Sequence, residues 1–283
     1  MTRQQLIRQN EQLRSRYEKA FYPLVKKSLK NQISSFTSVL KSQGTNVISS
    51  VIIIDAEMRQ VIESAYVHTG VAKANQTLSY LRRLRKIEKK KGSFGYNEEW
   101  TKQIIDYFRM NLFNKVVLPI SDTTKEFILK VISKGTAEGW SIDRMVQEIE
   151  REDYLDGRVR RILRTELNRA INYGSVIGEQ KYEFKTQKRW VSVHDRRTRI
   201  THELADGQTV DTDGIFTVGG EQMDFPGDPN ASAEETVNCR CHTEMVAVRD
   251  SDGRLIPKVE QAPVRVTGRL RQQLSGILQE LIN

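Results

Sequence analysis

Cys239 and Cys241 stand one residue apart in the segment NCRCHTEMV, in a stretch of chain that also holds His194, His202 and His242. If that segment is a strand, its side chains alternate, so the two thiols share a face and His242 points away. Two thiolates and His202 then supply three of the four ligands that a structural zinc site requires, with no fourth evident. A Cys-x-Cys with one remote His differs from the paired Cys-x-x-Cys spacing that marks zinc sites, and the same cysteines also read as small residues packing a strand. Zinc is the cofactor these residues would take, and both readings stay open. His194 and His242 read as surface residues, and His68 as a structural helix residue.

Asp195, followed by Arg196, Arg197 and Arg199, admits a second chemistry. With His202, Asp206, Asp211 and Asp213 it has the residue types of a metal-dependent nuclease or hydrolase, which needs carboxylates converging on one point. The simpler reading is a charged turn in which Asp195 caps the next segment and the arginines pair with nearby acids. No phosphate-cradling Gly-rich loop with Lys, no G-x-S-x-G and no H-E-x-x-H occurs.

Charge is unevenly placed. The chain carries +9, but Asp195 to Glu235 holds ten acids and three bases, a net of −7, which leaves +16 elsewhere. Arg82, Arg83, Arg85, Lys86, Lys89, Lys90 and Lys91 form a basic run that suits sequence-independent contact with double-stranded DNA or a solvated helix face. No aromatic residue interrupts it, which disfavours a single-strand stacking platform. Arg158, Arg160, Arg161, Arg164 and Arg169 read as a second basic face. The longest apolar run, Val47 to Ile54, is too short to span a bilayer, the first residues lack a secretory pattern, and two cysteines one residue apart read as free thiols.

These residues must be positioned by a chain of 283 residues, enough for about two structural units. The reading is α+β, mainly α: an elongated helical region over 1–185, a small turn-rich β-containing module over 186–250, and a linker with a C-terminal amphipathic helix over 251–283. Helical stripes are expected from Leu6 to Pro23, from Pro23 to Gly44, from Val51 towards Leu84, from an Asn97 cap to Pro119, after Ser121 and Ser141, and from Gly157. Short strands are expected at Arg189 to Val193, Gln208 to Val210 and Glu244 to Val248. The Leu270, Leu274, Ile277, Leu278 and Leu281 stripe needs a surface to bury against.

The order of four segments carries a resemblance. RTELNRAINYG (Arg164 to Gly174), RWVSVHDRRTRITHELADGQTV (Arg189 to Val210), FPGDP (Phe225 to Pro229) and ETVNCRC (Glu235 to Cys241) together resemble the phage Mu protein F-like family of head morphogenesis, or minor capsid, proteins. The family pattern falls on Trp190, Asp195, Arg197, Arg199, His202, Gly207, Pro226, Gly227, Asp228, Pro229, Asn238, Cys239 and Cys241. The resemblance implies a structural, nonenzymatic role in the virion: assembly of the head at the portal vertex, help with DNA packaging or delivery, and contacts with portal protein, major capsid or scaffolding protein and DNA, with no membrane. Relatives with a fuller zinc set carry Cys where Arg199 and His202 stand and His where Thr236 stands. In this chain a hydrogen-bonded network around Asp195, Arg199 and His202 would hold the same loop.

Overall fold

The computed structural model describes residues 1–45, 56–84 and 98–258. Asn97, most of the basic run (Arg85 to Lys91) and the terminal leucine stripe lie outside the described residues. The first element is a single helix, α1 (Arg3–Gln43), opened by a capping box between Thr2 and Gln5 and closed at Gly44, whose φ of 73° suits glycine. The expected break at Pro23 does not occur. A proline inside a helix loses one hydrogen bond and crowds the preceding turn, at a cost of about 3 kcal/mol. Here Phe21, Val25, Leu29, Ile33, Phe36 and Leu40 form one buried face running past it, and that burial outweighs the local penalty.

Helix α2 (Ala56–Leu84) leads to α3 (Glu98–Tyr107), which continues through a π-helical stretch (Phe108–Val117) into α4 (Leu118–Ala137). Pro119 therefore sits in the first turn of α4, where its missing N–H costs little, instead of ending the stripe as expected. Ser121 is not a cap either: it is buried in α4 and accepts from Gln32 Nε2 at 3.1 Å. Ser141 does cap α5 (Ile142–Ile149).

Helix α6 (Glu152–Glu179) is the axis of the molecule. Thr165 through Asn172 are all buried, polar residues included, because α1 and α2 cover one side and the β-containing region the other. The reading of Arg158 and Arg169 as part of an exposed basic face is corrected accordingly. Arg158 turns inward to the Ile120 carbonyl (2.8 Å), and Arg169 is 4% exposed.

Beyond α6, strand β1 (Thr186–Val191) is central in an antiparallel sheet of order β2–β1–β5, with β2 at Thr209–Asp211 and β5 at His242–Ala247. Lys188 faces Val210 on one side and Met245 on the other. A hairpin of β3 (Phe216–Val218) and β4 (Glu221–Met223) turns at Gly219 and Gly220, both with positive φ, as a tight two-residue turn requires. Two further short helices, α7 (Ile200–Leu204) and α8 (Ala233–Thr236), complete this region. Its own core is small: Trp190, Ala205, Phe216, Val218, Met223, Cys239 and Cys241. Among the described residues no helix is long and apolar enough to cross a membrane.

Candidate functional site

The turn before α7 is built by Asp195. Its carboxylate accepts from the Arg197 N–H (2.9 Å), its own N–H donates to Thr198 Oγ1 (3.0 Å), and Arg240 grips the carboxylate with both terminal nitrogens. The Arg240 ion pair holds the Asp195 carboxyl far below the usual carboxylate range. This turn aims α7 so that His202 enters the small core, 2% exposed, with its ring nearly perpendicular to that of Trp190 at 5.5 Å between centroids.

The cysteines reach the same point from the loop between α8 and β5. They lie ahead of β5, not within a strand as expected; Asn238, at φ 59°, precedes them, and both sulfurs lie beside His202 Nδ1. Helix α6 fixes that loop. Asn168 Nδ2 and Asn172 Nδ2 both donate to the Cys241 carbonyl (3.1 and 3.0 Å), Asn172 Oδ1 accepts from the Thr243 N–H (2.8 Å), and Thr165 Oγ1 accepts from the Asn238 N–H (3.0 Å).

The outcome is a buried cluster. His202 Nδ1 lies 3.2 Å from Cys241 Sγ and 3.7 Å from Cys239 Sγ, and His202 Nε2 lies 2.8 Å from Glu235 Oε2. Glu235 Oε2 also accepts from Thr201 Oγ1 (2.9 Å). Burial works against a charged ring, but the hydrogen bond and charge of Cys239, with Glu235 adding, raise the His202 pKa above its ordinary value. Cys241 donating to Cys239, together with His202, draws the Cys239 thiol well down, while the same contact and burial push Cys241 well up. The arrangement suits one thiolate with an imidazole beside it, or a cation in the space the three ligand atoms enclose.

Glu235 is the participant that sequence reasoning missed. Ser232-x-x-Glu235 has the form of a capping box, which would send the carboxylate back to its own helix start. Ser232 does accept from the Glu235 N–H, but the carboxylate turns away to His202. Gly219 leaves room for it: a Cβ there would stand 2.4 Å from Glu235 Oε1.

The other expected residues lie around this cluster and beyond it. Trp190, Cys239 and Cys241 are core, and Gly207 takes φ 79° while its N–H donates to the Trp190 carbonyl. Arg199 Nη2 donates to the Val237 carbonyl (2.7 Å), and Thr236 Oγ1 donates to the Ser232 carbonyl (2.8 Å), so neither adds a ligand to the cluster. In the Pro226 to Pro229 loop, Gly227 takes φ 86°, and Asp228 accepts from the N–H groups of Asp224 (2.7 Å) and Asn230 (2.9 Å). Arg169 Nε holds the Gly227 carbonyl and Asn172 Nδ2 the Pro226 carbonyl. Arg82 and Arg83 end α2. His68 is exposed on α2, and His194 is surface-lying with Nε2 3.0 Å from Asp206. His242 is a correction: it is 1% exposed because β5 backs onto the helices, and burial pushes its pKa down to about 3.

The carboxylates do not converge. Asp195 belongs to Arg240 and Asp206 to Arg3, and among the described residues the one group of three His, Cys, Asp or Glu side chains closing on a point is His202, Cys239 and Cys241. Asp206 receives Arg3 at 2.6 and 2.7 Å and the Ser192 N–H at 2.8 Å, which ties the first turn of α1 to the β-containing region. Burial opposes the Asp206 charge, but Arg3 and Ser192 bring its pKa to about 2. A pKa depressed on folding stabilises above the unfolded value of about 3.9 and is lost as pH falls towards 2. The expected result is a stability loss of about 1 to 2 kcal/mol between pH 4.5 and 2 from this group. Thermal midpoints across that range should fall less steeply in Arg3→Ala; an identical slope would remove the assignment.

Residues 126–244 match the family described as Phage Mu protein F like protein. The chain is also 33% identical over 131 residues to the NAD(+)--arginine ADP-ribosyltransferase EFV of Enterococcus faecalis, a match covering 43% of this chain and 26% of that protein. The chain thus spans about a quarter of the length of that relative. No solved structure matches.

Proposed function

We propose that this chain is a minor head protein of a phage, acting without catalysis in head morphogenesis at the portal vertex and assisting procapsid assembly and DNA packaging or delivery. The Mu F-like family is one of structural head proteins, and the match over residues 126–244 carries the reading. Supporting it, the motif residues serve architecture: Arg169, Asn168 and Asn172 hold the backbone of the other segments, and Asp195 is closed by Arg240. A nuclease or hydrolase built on Asp195 and His202 would need those two groups to share a reacting centre, and their partners separate them. The ADP-ribosyl transfer named for the enterococcal protein stays with that protein.

The partners of this reading are portal protein, major capsid or scaffolding protein, and double-stranded DNA contacted nonspecifically by the basic run that begins at Arg82 and Arg83. Its location is the virion, at the head interior or portal vertex. The test is coexpression with a candidate portal protein and major capsid protein of the same phage. The chain should co-purify with portal and be found in assembled heads at low copy; absence from both defeats the reading.

A further inference from the structure

We propose that His202 Nδ1, Cys239 Sγ and Cys241 Sγ bind one zinc ion per chain, with Glu235 as the carboxylate that orients the imidazole and a solvent molecule as the fourth ligand. The spacing of the ligand atoms carries this. Zinc holds thiolate sulfur at about 2.3 Å and imidazole nitrogen at about 2.0 to 2.1 Å in a tetrahedron, so a nitrogen and a sulfur on one ion stand about 3.6 Å apart. The two distances found, 3.2 and 3.7 Å, bracket that value, and all three ligand atoms lie within 4.8 Å of one another.

The orientation of the ring points the same way. Nε2 faces a buried carboxylate, so the N–H belongs there and the Nδ1 lone pair faces both sulfurs. Nδ1 has one bonding direction and two sulfurs within 3.7 Å, so a hydrogen bond satisfies one of them at a time; a cation uses both sulfurs and the nitrogen together. A carboxylate on the far nitrogen is the arrangement that fixes tautomer and direction in metal-bound histidines. Glu235 leaves its own helix cap for this contact and for the Thr201 hydroxyl, which donates to the same oxygen and holds it in place.

The fourth position has a physical counterpart. A cleft of about 10 Å³ opens on the cluster between Val193, Arg199, Asn238 and Cys239, room for about one water. Of the polar side chains lining it, Arg199 is engaged with the Val237 carbonyl and Arg240 with Asp195. Two thiolates and a neutral imidazole cancel a dication, and the one negative charge left, on Glu235, lies in a region that also holds Arg199 and Arg240. Its mechanical effect is to join α7 to the loop before β5 within a core of few residues, where a clip contributes most. The inference is independent of the head-assembly reading.

The full chain, purified without chelator and then equilibrated with zinc, should hold about one zinc per chain by elemental analysis. With Co2+ in place of zinc it should show the strong visible bands of a tetrahedral ion and a thiolate-to-metal band in the near ultraviolet. The double variant Cys239→Ser, Cys241→Ser should lose both signals. Because that variant could fail to fold, the wild-type cobalt titration decides by itself: no stoichiometric binding and no tetrahedral spectrum overturns the site. Glu235→Gln should retain the spectrum while zinc affinity, measured by competition with a chromophoric chelator, falls about ten- to a hundredfold. Unchanged affinity overturns the orienting role of Glu235.

Discussion

Gly178→Val should leave no cooperative thermal transition at temperatures where the parent chain is native. Gly178 lies where α6 crosses α2, and a Cβ at that position would stand 2.4 Å from the Ala74 carbonyl oxygen and 2.7 Å from Ala74 Cα. Gly174 repeats the contact one turn earlier, 2.4 Å from the Gly70 oxygen. These obstacles are backbone, so no rotamer relieves them, and the two helices must separate along the seam that carries much of the core. Overpacking alone costs about 1 to 3 kcal/mol, and loss of the adjoining burial takes the expected total to about 4 kcal/mol or more, a large share of the roughly 5 to 15 kcal/mol that stabilises a domain. Gly157→Ala is the control: it lies on the same helix with nothing within 4 Å of its Cβ, so it should stabilise by about 0.5 to 1 kcal/mol. If circular dichroism melts show Gly178→Val within a few degrees of the parent, the close approach of α2 and α6 is wrong.

The second large effect is expected at Arg169. Its Nη1 donates to Glu166 Oε2 at 2.6 Å, the Tyr66 hydroxyl donates to that same oxygen at 2.6 Å, and its Nε donates to the Gly227 carbonyl at 2.5 Å. Burial works against the guanidinium, but Glu166 outweighs it and the Arg169 pKa is raised; burial and Glu166 together push the Tyr66 hydroxyl well above its ordinary value. Arg169→Met keeps an unbranched apolar stem, removes the guanidinium and leaves the buried Glu166 carboxylate with the Tyr66 hydroxyl as its donor. Breaking a buried pair from one side costs about 3 to 5 kcal/mol. Urea unfolding should show that loss, and adding Glu166→Gln should return part of it, because the uncompensated charge is then gone. A loss under about 1 kcal/mol, or full additivity of the two changes, would separate these residues energetically.

Arg169 also explains why the four recurrent segments travel together. RTELNRAINYG supplies the side chains that grip Gly227 and Pro226 in one loop and Asn238, Cys241 and Thr243 in another. The sequence displayed the motifs and their order, but not that the first is the clamp for the others. Asn168 and Asn172 were legible in principle, since a pair of amides four residues apart on an otherwise apolar helix face calls for buried partners.

The net charge of the acidic stretch does not translate into an equal number of free carboxylates. Asp195 is taken by Arg240, Asp206 by Arg3, Glu221 by Ser232, Asp228 by its own loop and Glu235 by His202. Counting charges along a chain cannot foresee this, because pairing depends on which side chains the fold brings within a few ångströms.

By itself the sequence determined the mainly helical body, the Gly44 and Ser141 helix ends, the three strands of the β2–β1–β5 sheet to within a few residues but not the β3–β4 hairpin, the resemblance carried by residues 126–244, and His202, Cys239 and Cys241 as a candidate ligand set. Each of these rests on periodicity, local capping chemistry, residue type or an ordered motif, which are properties of the chain read along its length. Tertiary structure alone decided that α1 runs through Pro23, that Arg158, Arg169 and His242 are interior, that His202 meets both thiols, and that Glu235 serves His202 and not its own helix. Those outcomes are set by burial and by partners such as Glu235 for His202, 33 residues away, and Gly227 for Arg169, 58 residues away, whose energies exceed the local preferences that a sequence displays.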